Sequence, residues 1–306
     1  MPSGAAQGSG ERFSSAGATQ VMAVACRRVG LNSDGAQLIR LGENALFRLA
    51  SHPVIVRVAR TVDYLPSVRK EVEVSRWLAR VGFPAARVID DVGQPLIIDD
   101  CPVTFWHLIP GSERKATYGE LGTTLRELHS LHVPEHLNLS PYDVFGRADL
   151  RIENVPGVSD DDREFLRKRG AELRERLTDL HFNLPKGPAH GDAHGDNLMV
   201  DQSGEVILID FENFCFDHPE WDLMVPTTEY DSMGWASNAD YAQFVDAYGR
   251  DLRAWPGFST LRAIQEFKMT TWLMQNVNEN EDVAHEFARR IASLRDDDAP
   301  RDWLPG

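Results

Sequence analysis

Four residues have the types and the spacing to do chemistry: His190, Asp192, Asn197 and Asp210. The first three stand in His190-Gly191-Asp192-Ala193-His194-Gly195-Asp196-Asn197, and Asp210 follows thirteen residues after Asn197 in Ile209-Asp210-Phe211-Glu212. A carboxylate closing the apolar run Val206–Ile209 is unfavourable unless a cation or hydrogen-bond donors receive it. One amide and one carboxylate suit magnesium, which takes few protein ligands and prefers oxygen. A second carboxylate set apart from the metal can orient a hydroxyl and accept its proton. The order H-x-D-x-x-x-x-N followed by D-F is that of a phosphoryl-transfer loop and its metal-binding aspartate. That reaction asks the protein for positioning and charge neutralisation more than for covalent help.

The alternation of ligand types in HGDAHGD also fits a zinc loop, as in metallohydrolases. A zinc site, however, gives no work to Asn197 or Asp210.

The elements that must position these residues divide in two. Residues 36–60 read as an antiparallel meander: AQLIRLG, a turn at Gly42-Glu43-Asn44, ALFRLA, a turn at Ser51-His52-Pro53, and VIVRVAR. A helix is expected over 68–81, stopped by Gly82 and Pro84. The strands ARVID, PLIID and VTFWHLI follow, and Pro110-Gly111 marks a boundary. Beyond it, helical spacing covers 118–131, 161–180, 241–252 and 261–278, interrupted by the hairpin NLMVDQSGEVILIDF. A short helix is expected over 20–29. The resulting organisation is a Gly/Ser/Ala-rich tail (1–19), a β-rich lobe (20–106), a hinge (107–111) and a helical lobe (112–306) that contains the catalytic loop and acceptor site.

Of the 306 residues, 42% are hydrophobic, enough for a sizeable core. No apolar run approaches the roughly 20 residues that span a bilayer. Three scattered cysteines fit neither a disulfide framework nor a zinc pair, so a reducing cytoplasmic setting is expected. The net charge is −15, and residues 187–249 contain 13 acids and no lysine or arginine. Such a field disfavours nucleic acid and anionic membranes as partners and attracts metal ions and cationic ligands.

In HGDAHGDN and IDFENFCFDHPEWDL the chain resembles the aminoglycoside phosphotransferase family, the small-molecule branch of the protein-kinase-like fold. The resemblance implies an α+β bilobal architecture, with an antiparallel β-rich N-lobe and a mostly helical C-lobe. It also implies ATP or GTP with Mg2+ as cofactors. It makes Asp192 the base, Asn197 and Asp210 the metal ligands, and His190 and Asp222 the hydrogen-bonding buttresses of the loop. Arg57 sits where the family places its phosphate-pairing cation, with Arg60 as the rival. Glu71 corresponds to the helix glutamate that holds that cation, with Glu73 as the alternative, since only one of the two can face inward. Gly42 resembles the nucleotide-covering turn. The His107 carbonyl and the Ile109 amide occupy the hinge positions that face the nucleobase. One departure is visible: Asp217-His218 replaces Gly-Asp before Pro219.

Asp222 follows Asp210 by only 12 residues, which leaves no room for a protein-substrate platform. The expected acceptor is therefore a small hydroxyl compound, with Glu229, Asp231 and Glu266 as candidate binders of a cationic group. An antibiotic-inactivating phosphotransferase is the first expectation. A metabolic kinase for choline, homoserine or a similar compound uses the same residues. A pseudokinase would have lost the base or a metal ligand, and none is lost here.

Overall fold

The computed structural model describes residues 13–42, 44–278, 280–296 and 299–304. They form two compact units, one built from the chain up to Lys115 plus Asn197–Glu212, the other from Ala116–Asp196 and the chain from Asn213 onward.

The first unit is organised by a five-stranded antiparallel sheet of β1 (Gln37–Leu41), β2 (Asn44–Arg48), β3 (Val54–Ala59), β4 (Leu96–Ile98) and β5 (Cys101–His107), in the order β1-β2-β3-β5-β4. Period-2 alternation sends Val54, Val56 and Val58 of β3 into the core and turns Arg57 to the opposite face. The core joins these valines to Phe47, Val103 and Phe105. It also takes one face of α1 (Ser15–Arg28), through Ala18, Val21, Met22 and Ala25. This helix begins inside the segment expected as a tail; residues 1–12 of that segment lie outside the described residues. Ser14 starts it, its hydroxyl accepting the Gly17 amide at 3.2 Å, and burial of the small apolar face outweighs the Gly/Ala composition.

The second helix, α2 (Leu65–Arg80), starts three residues earlier than its periodicity indicates, with a proline in its first turn. The expected strand ARVID is not one. Val88 gives its amide to the Ser75 hydroxyl at 3.0 Å, and the pairing here is limited to isolated bridges, Ala85 with Leu208 and Val88 with Trp106. A hairpin of β7 (Leu198–Val200) and β8 (Val206–Leu208), counted after β6 below, belongs to this unit by its hydrogen bonds. The Ala86 amide donates to the Leu208 carbonyl at 2.8 Å, and the Gln202 amide to the Pro110 carbonyl at 3.0 Å. The hairpin was expected with the helical lobe.

The second unit is helical: α3 (Tyr118–His129), α4 (Ala148–Asn154), α5 (Asp160–Thr178), α6 (Glu220–Asp231), α7 (Asn238–Tyr248), α8 (Phe258–Leu273) and α9 (Glu281–Leu294). A Thr117/Glu120 capping box opens α3. Gly122 lets α3 lie against α7, since a Cβ there would come within 2.6 Å of the Phe244 carbonyl. The short strands β6 (Gly187–Ala189) and β9 (Cys215–Asp217) pair antiparallel, setting Ala189 opposite Cys215. Near the chain end, Trp303 is buried with Met233 and Leu294. Among the described residues no helix is long and apolar enough to cross a membrane.

Candidate active site

The first unit brings together Arg57, Glu71, Asn197 and Asp210. Arg57 leaves β3 on the face away from the valines and donates to Glu71 of α2, which is only 2% exposed. Glu73 is exposed, so Glu71 is the inward glutamate of the pair. With its amide oxygen turned toward Arg57, Asn44 accepts from Arg57 Nη2 at 2.8 Å. Glu212 Oε2 lies 3.8 Å from the same guanidinium. Arg60, the rival, is exposed and donates instead to the Gly42 carbonyl at 3.2 Å. Gly42 sits in the β1–β2 turn beside Glu43, which is outside the described residues; a Cβ at Gly42 would meet nothing nearer than Arg40 Nε at 4.0 Å.

Asn197 and Asp210 flank the β7–β8 hairpin. The Ile209 amide donates to the Asn197 carbonyl at 3.0 Å, which sets the buried Asn197 beside the strand end that carries Asp210. Asp210 has a left-handed backbone, φ 64°, uncommon for a residue with a side chain and characteristic of functional turns. The turn leaves Asp210 exposed. Lys70, next to Glu71 in α2, donates to the Glu212 carbonyl at 2.5 Å and ties the segment after Asp210 to the helix. Sequence reasoning passed over Lys70 because it is not in a strand.

Burial pushes the Glu71 carboxyl up to about 7; Arg57 opposes this, while the Asp210 and Glu212 carboxylates add to it. Of the three carboxylates around this guanidinium, Glu71 is the buried one, so it bears the cost of lost hydration. Glu71 Oε1 is also buried with no partner among the described residues. The folded state therefore binds a proton that the unfolded chain has released between pH 4.5 and 7. In metal-free buffer, stability should fall as pH rises through that window, by up to about 3 kcal/mol. Glu71→Gln should flatten the dependence in thermal melts between pH 5 and 8.

In the segment 107–111, the His107 amide donates to the Arg87 carbonyl and the Leu108 amide to the Pro53 carbonyl, each at 2.8 Å. Among the described residues the Ile109 amide has no protein acceptor. The His107 side chain is exposed.

The second unit carries the loop that opens with His190-Gly191-Asp192, and Asp222 at the start of α6 holds it. This carboxylate is fully buried. It accepts the His190 amide and the Gly191 amide at 2.7 Å each, and His129 Nε2 at 2.9 Å. Burial opposes its charge, but the His129 hydrogen bond and the His129 and His190 rings outweigh burial and keep its pKa below the usual carboxylate range. Tyr248, at 3.1 Å from His129 Nδ1, orients that ring from α7. Gly191 has φ 82°, and a Cβ there would stand 2.3 Å from the Asn213 carbonyl, so the loop requires glycine. His190 is buried, its ring set edge-on to Phe214 at 6.5 Å between centroids. It stiffens the loop from beneath.

Asp192 therefore leaves an anchored backbone, with His194 Nε2 3.6 Å from its carboxylate. Burial would raise its pKa, but His194, His190 and Lys268 together bring it below the ordinary value. His194 moves the opposite way: burial lowers its pKa, and Asp192, Glu229 and Asp196 more than compensate. Glu229 of α6 accepts the Tyr118 hydroxyl at 2.8 Å. Burial raises its pKa, with Asp196 and Asp192 adding to the rise and the Tyr118 bond and His194 opposing it.

The other two candidate acids are not brought to this group. Asp231 pairs with Arg262 at 3.0 Å. Glu266 is buried against Arg301 at 3.1 Å and takes the Ser232 hydroxyl at 2.5 Å. Both carboxylates are already paired with arginines within the fold. Asp217, the departure from the Gly-Asp pattern, accepts the Tyr142 amide at 3.1 Å and pairs with Lys186 at 3.0 Å. Among the described residues no three His, Cys, Asp or Glu side chains converge as a metal site, so the HGDAHGD alternation does not assemble a zinc centre. The amide and carboxylate oxygens of Asn197 and Asp210 fit magnesium, and the buried, unpartnered Glu71 Oε1 of the same unit fits a site completed by ligand or solvent.

The profile of the phosphotransferase enzyme family (APH) matches residues 41–267. Among solved structures, an amicoumacin kinase in complex with AMP-PNP and Ca2+ superposes with a TM-score of 0.71 at 16% identity, over 92% of this chain and 95% of that one. A microcompartment-associated aminopropanol kinase gives 0.68 at 19% identity, over 89% and 95%. A spectinomycin phosphotransferase gives 0.64 at 14% identity, over 92% and 95%. At these identities the likeness speaks for the fold alone. An uncharacterized protein of Mycoplasma pneumoniae is 35% identical over 78 residues, so the match spans about a quarter of each chain (26% and 26%). With a profile match across most of its length, the loop and metal segment in place, and an α+β protein-kinase-like fold, the chain belongs to the phosphotransferase enzyme family.

Proposed function

We propose that this protein transfers the γ-phosphoryl group of ATP to a hydroxyl of a small, cationic molecule in the cytoplasm. The observation that carries the reading is the Asp222 clamp, which spends a fully buried carboxylate on fixing the backbone from which Asp192 projects. Asp192, kept ionised, orients the acceptor hydroxyl and takes its proton as the oxygen–phosphorus bond forms. The bond from the γ-phosphorus to the bridging oxygen breaks, and its electron pair leaves on ADP. Asn197 and Asp210 are the residues that would hold magnesium, which when bound neutralises phosphate charge. Arg57, set by Glu71 and Asn44, pairs with the phosphates. Residues 107–111 serve as the hinge, where the Ile109 amide and His107 carbonyl receive the nucleobase.

Glu229 supports a cationic acceptor. It is the candidate acid electrostatically coupled to both Asp192 and His194. An aminoglycoside-like antibiotic and a metabolic amino alcohol both present an amine near a hydroxyl. The test is a coupled ADP-release assay with Mg-ATP against aminoglycosides, other basic antibiotics, choline, aminopropanol and homoserine. Turnover dependent on an amine-bearing acceptor is the expected result, with Glu229→Gln raising its KM about tenfold. Turnover restricted to neutral sugars would overturn the cationic class, and absence of nucleotide binding would overturn the kinase reading.

A further inference from the structure

Lys268 of α8 is a partly buried ammonium whose side chain reaches Tyr142, donating to its hydroxyl and lying 4.6 Å from the ring centroid. An ammonium has three protons to give, and this one has a single polar partner, a neutral hydroxyl. Among the described residues no carboxylate lies within ion-pair distance of it, although lysines so enclosed are ordinarily paired. Tyr142 is itself fixed: its amide is held by Asp217 at 3.1 Å, and its ring packs on Trp221 at 4.9 Å. Asp217, one of the two residues that depart from the Gly-Asp pattern, thus helps to place this lysine. Its charge is felt at Asp192, which in turn acts on Lys268.

We propose that Lys268 is an oxyanion-binding residue of the reaction centre, its ammonium held by Tyr142 so that its remaining protons meet a negatively charged oxygen of the reactants beside Asp192. The inference rests on the phosphotransfer reading. Two sources supply such an oxygen: the phosphoryl group in transfer, or a carboxylate on the acceptor. Either restores to the lysine the partner that the fold withholds.

The protonated form is the one that works. Burial brings the Lys268 pKa down to about 8, with Asp192, Asp143 and Cys215 drawing it back up and Arg151 opposing them. Function through Lys268 should therefore decline as pH rises past 8.

The experiment compares the wild type with Lys268→Met and Lys268→Arg between pH 6 and 10. Two reactions are followed: basal ATP hydrolysis, with water as acceptor, and transfer to homoserine, which carries both amine and carboxylate. A fall of tenfold or more in kcat for both reactions in Lys268→Met, partly restored by arginine, supports the proposal and identifies the phosphoryl oxygen. A tenfold rise in KM for homoserine alone supports it and identifies the acceptor carboxylate. Constants within twofold of wild type in both reactions overturn it.

A readout without turnover separates this proposal from the reading beneath it. In the 13C-methylated protein, inorganic phosphate should raise the titration midpoint of the Lys268 resonance, identified by its loss in Lys268→Arg. If the wild type turns over nothing, the phosphotransfer reading falls, and Lys268 is then judged by this titration alone. An unmoved midpoint there overturns the oxyanion site.

Discussion

Asp192→Asn should lower phosphoryl transfer about 10³-fold, within the 10²–10⁴ range that one positioned base contributes. The substitution keeps size and hydrogen-bonding shape while removing the charge proposed to receive the hydroxyl proton. Its backbone anchor is independent of the side chain, because Asp222 binds the amides of residues 190 and 191. Arg57, Glu71, Asn197 and Asp210, proposed to serve the nucleotide and its metal, belong to the other unit. Nucleotide affinity, measured by titration with a fluorescent analogue, should therefore stay within a few fold. His194 provides an internal control. Asp192 is what chiefly raises its pKa against burial, so the His194 ring should titrate lower in the variant. Full turnover in Asp192→Asn would remove Asp192 as the base.

Asp222→Ala should be the most damaging substitution for the fold itself. It leaves the His190 and Gly191 amides and His129 Nε2 without their acceptor, all in a site closed to water. Breaking one partner of a buried, charge-assisted cluster is typically worth about 3–5 kcal/mol. For a chain of this size that corresponds to a drop of roughly 5–8 °C in Tm. Turnover should fall as well, because the loop carrying Asp192 loses its register. The pH dependence follows from the direction of the shift. A carboxyl whose folded pKa is depressed contributes stability above its unfolded value near 3.8 and loses it as pH falls through the lower folded value. The wild type should therefore lose this contribution only below about pH 4, and the difference in Tm between wild type and variant should shrink there. An Asp222→Ala protein with wild-type Tm and turnover would show that the clamp is dispensable.

The stability and the function of Lys268 pull in opposite directions. Its pKa is lowered by burial, so below about pH 8 the fold carries an ammonium that it would be more stable without. Lys268→Met should thus raise Tm at pH 7 while impairing the chemistry, a combination common where a strained site is kept for its activity.

Much of the site was legible in the sequence, for a chemical reason. A base, an amide ligand and a carboxylate ligand must come from particular residue types, and here one loop and one hairpin carry the residues proposed for those roles within 19 residues, from Asp192 to Asp210. The meander was legible because alternation and turn residues report a half-buried sheet directly. Composition misled at α1, where a Gly/Ala-rich stretch is helical because a small face can still be buried and Ser14 caps it. It misled again at ARVID, whose hydrogen bonds go to a serine hydroxyl and isolated bridges rather than a ladder.

By itself, the sequence determined which residues have the chemistry for phosphoryl transfer and the order in which the chain presents them. Whether an acid is available to a ligand was decided only by the tertiary structure. Asp231 and Glu266 looked as available as Glu229 until Arg262 and Arg301, distant in the chain, were seen to neutralise them. Packing likewise chose Glu71 over Glu73 and Arg57 over Arg60, brought His129 to Asp222, and set Lys268 on Tyr142. Spacing along a chain records covalent distance, whereas burial and charge pairing depend on which surfaces the fold presses together.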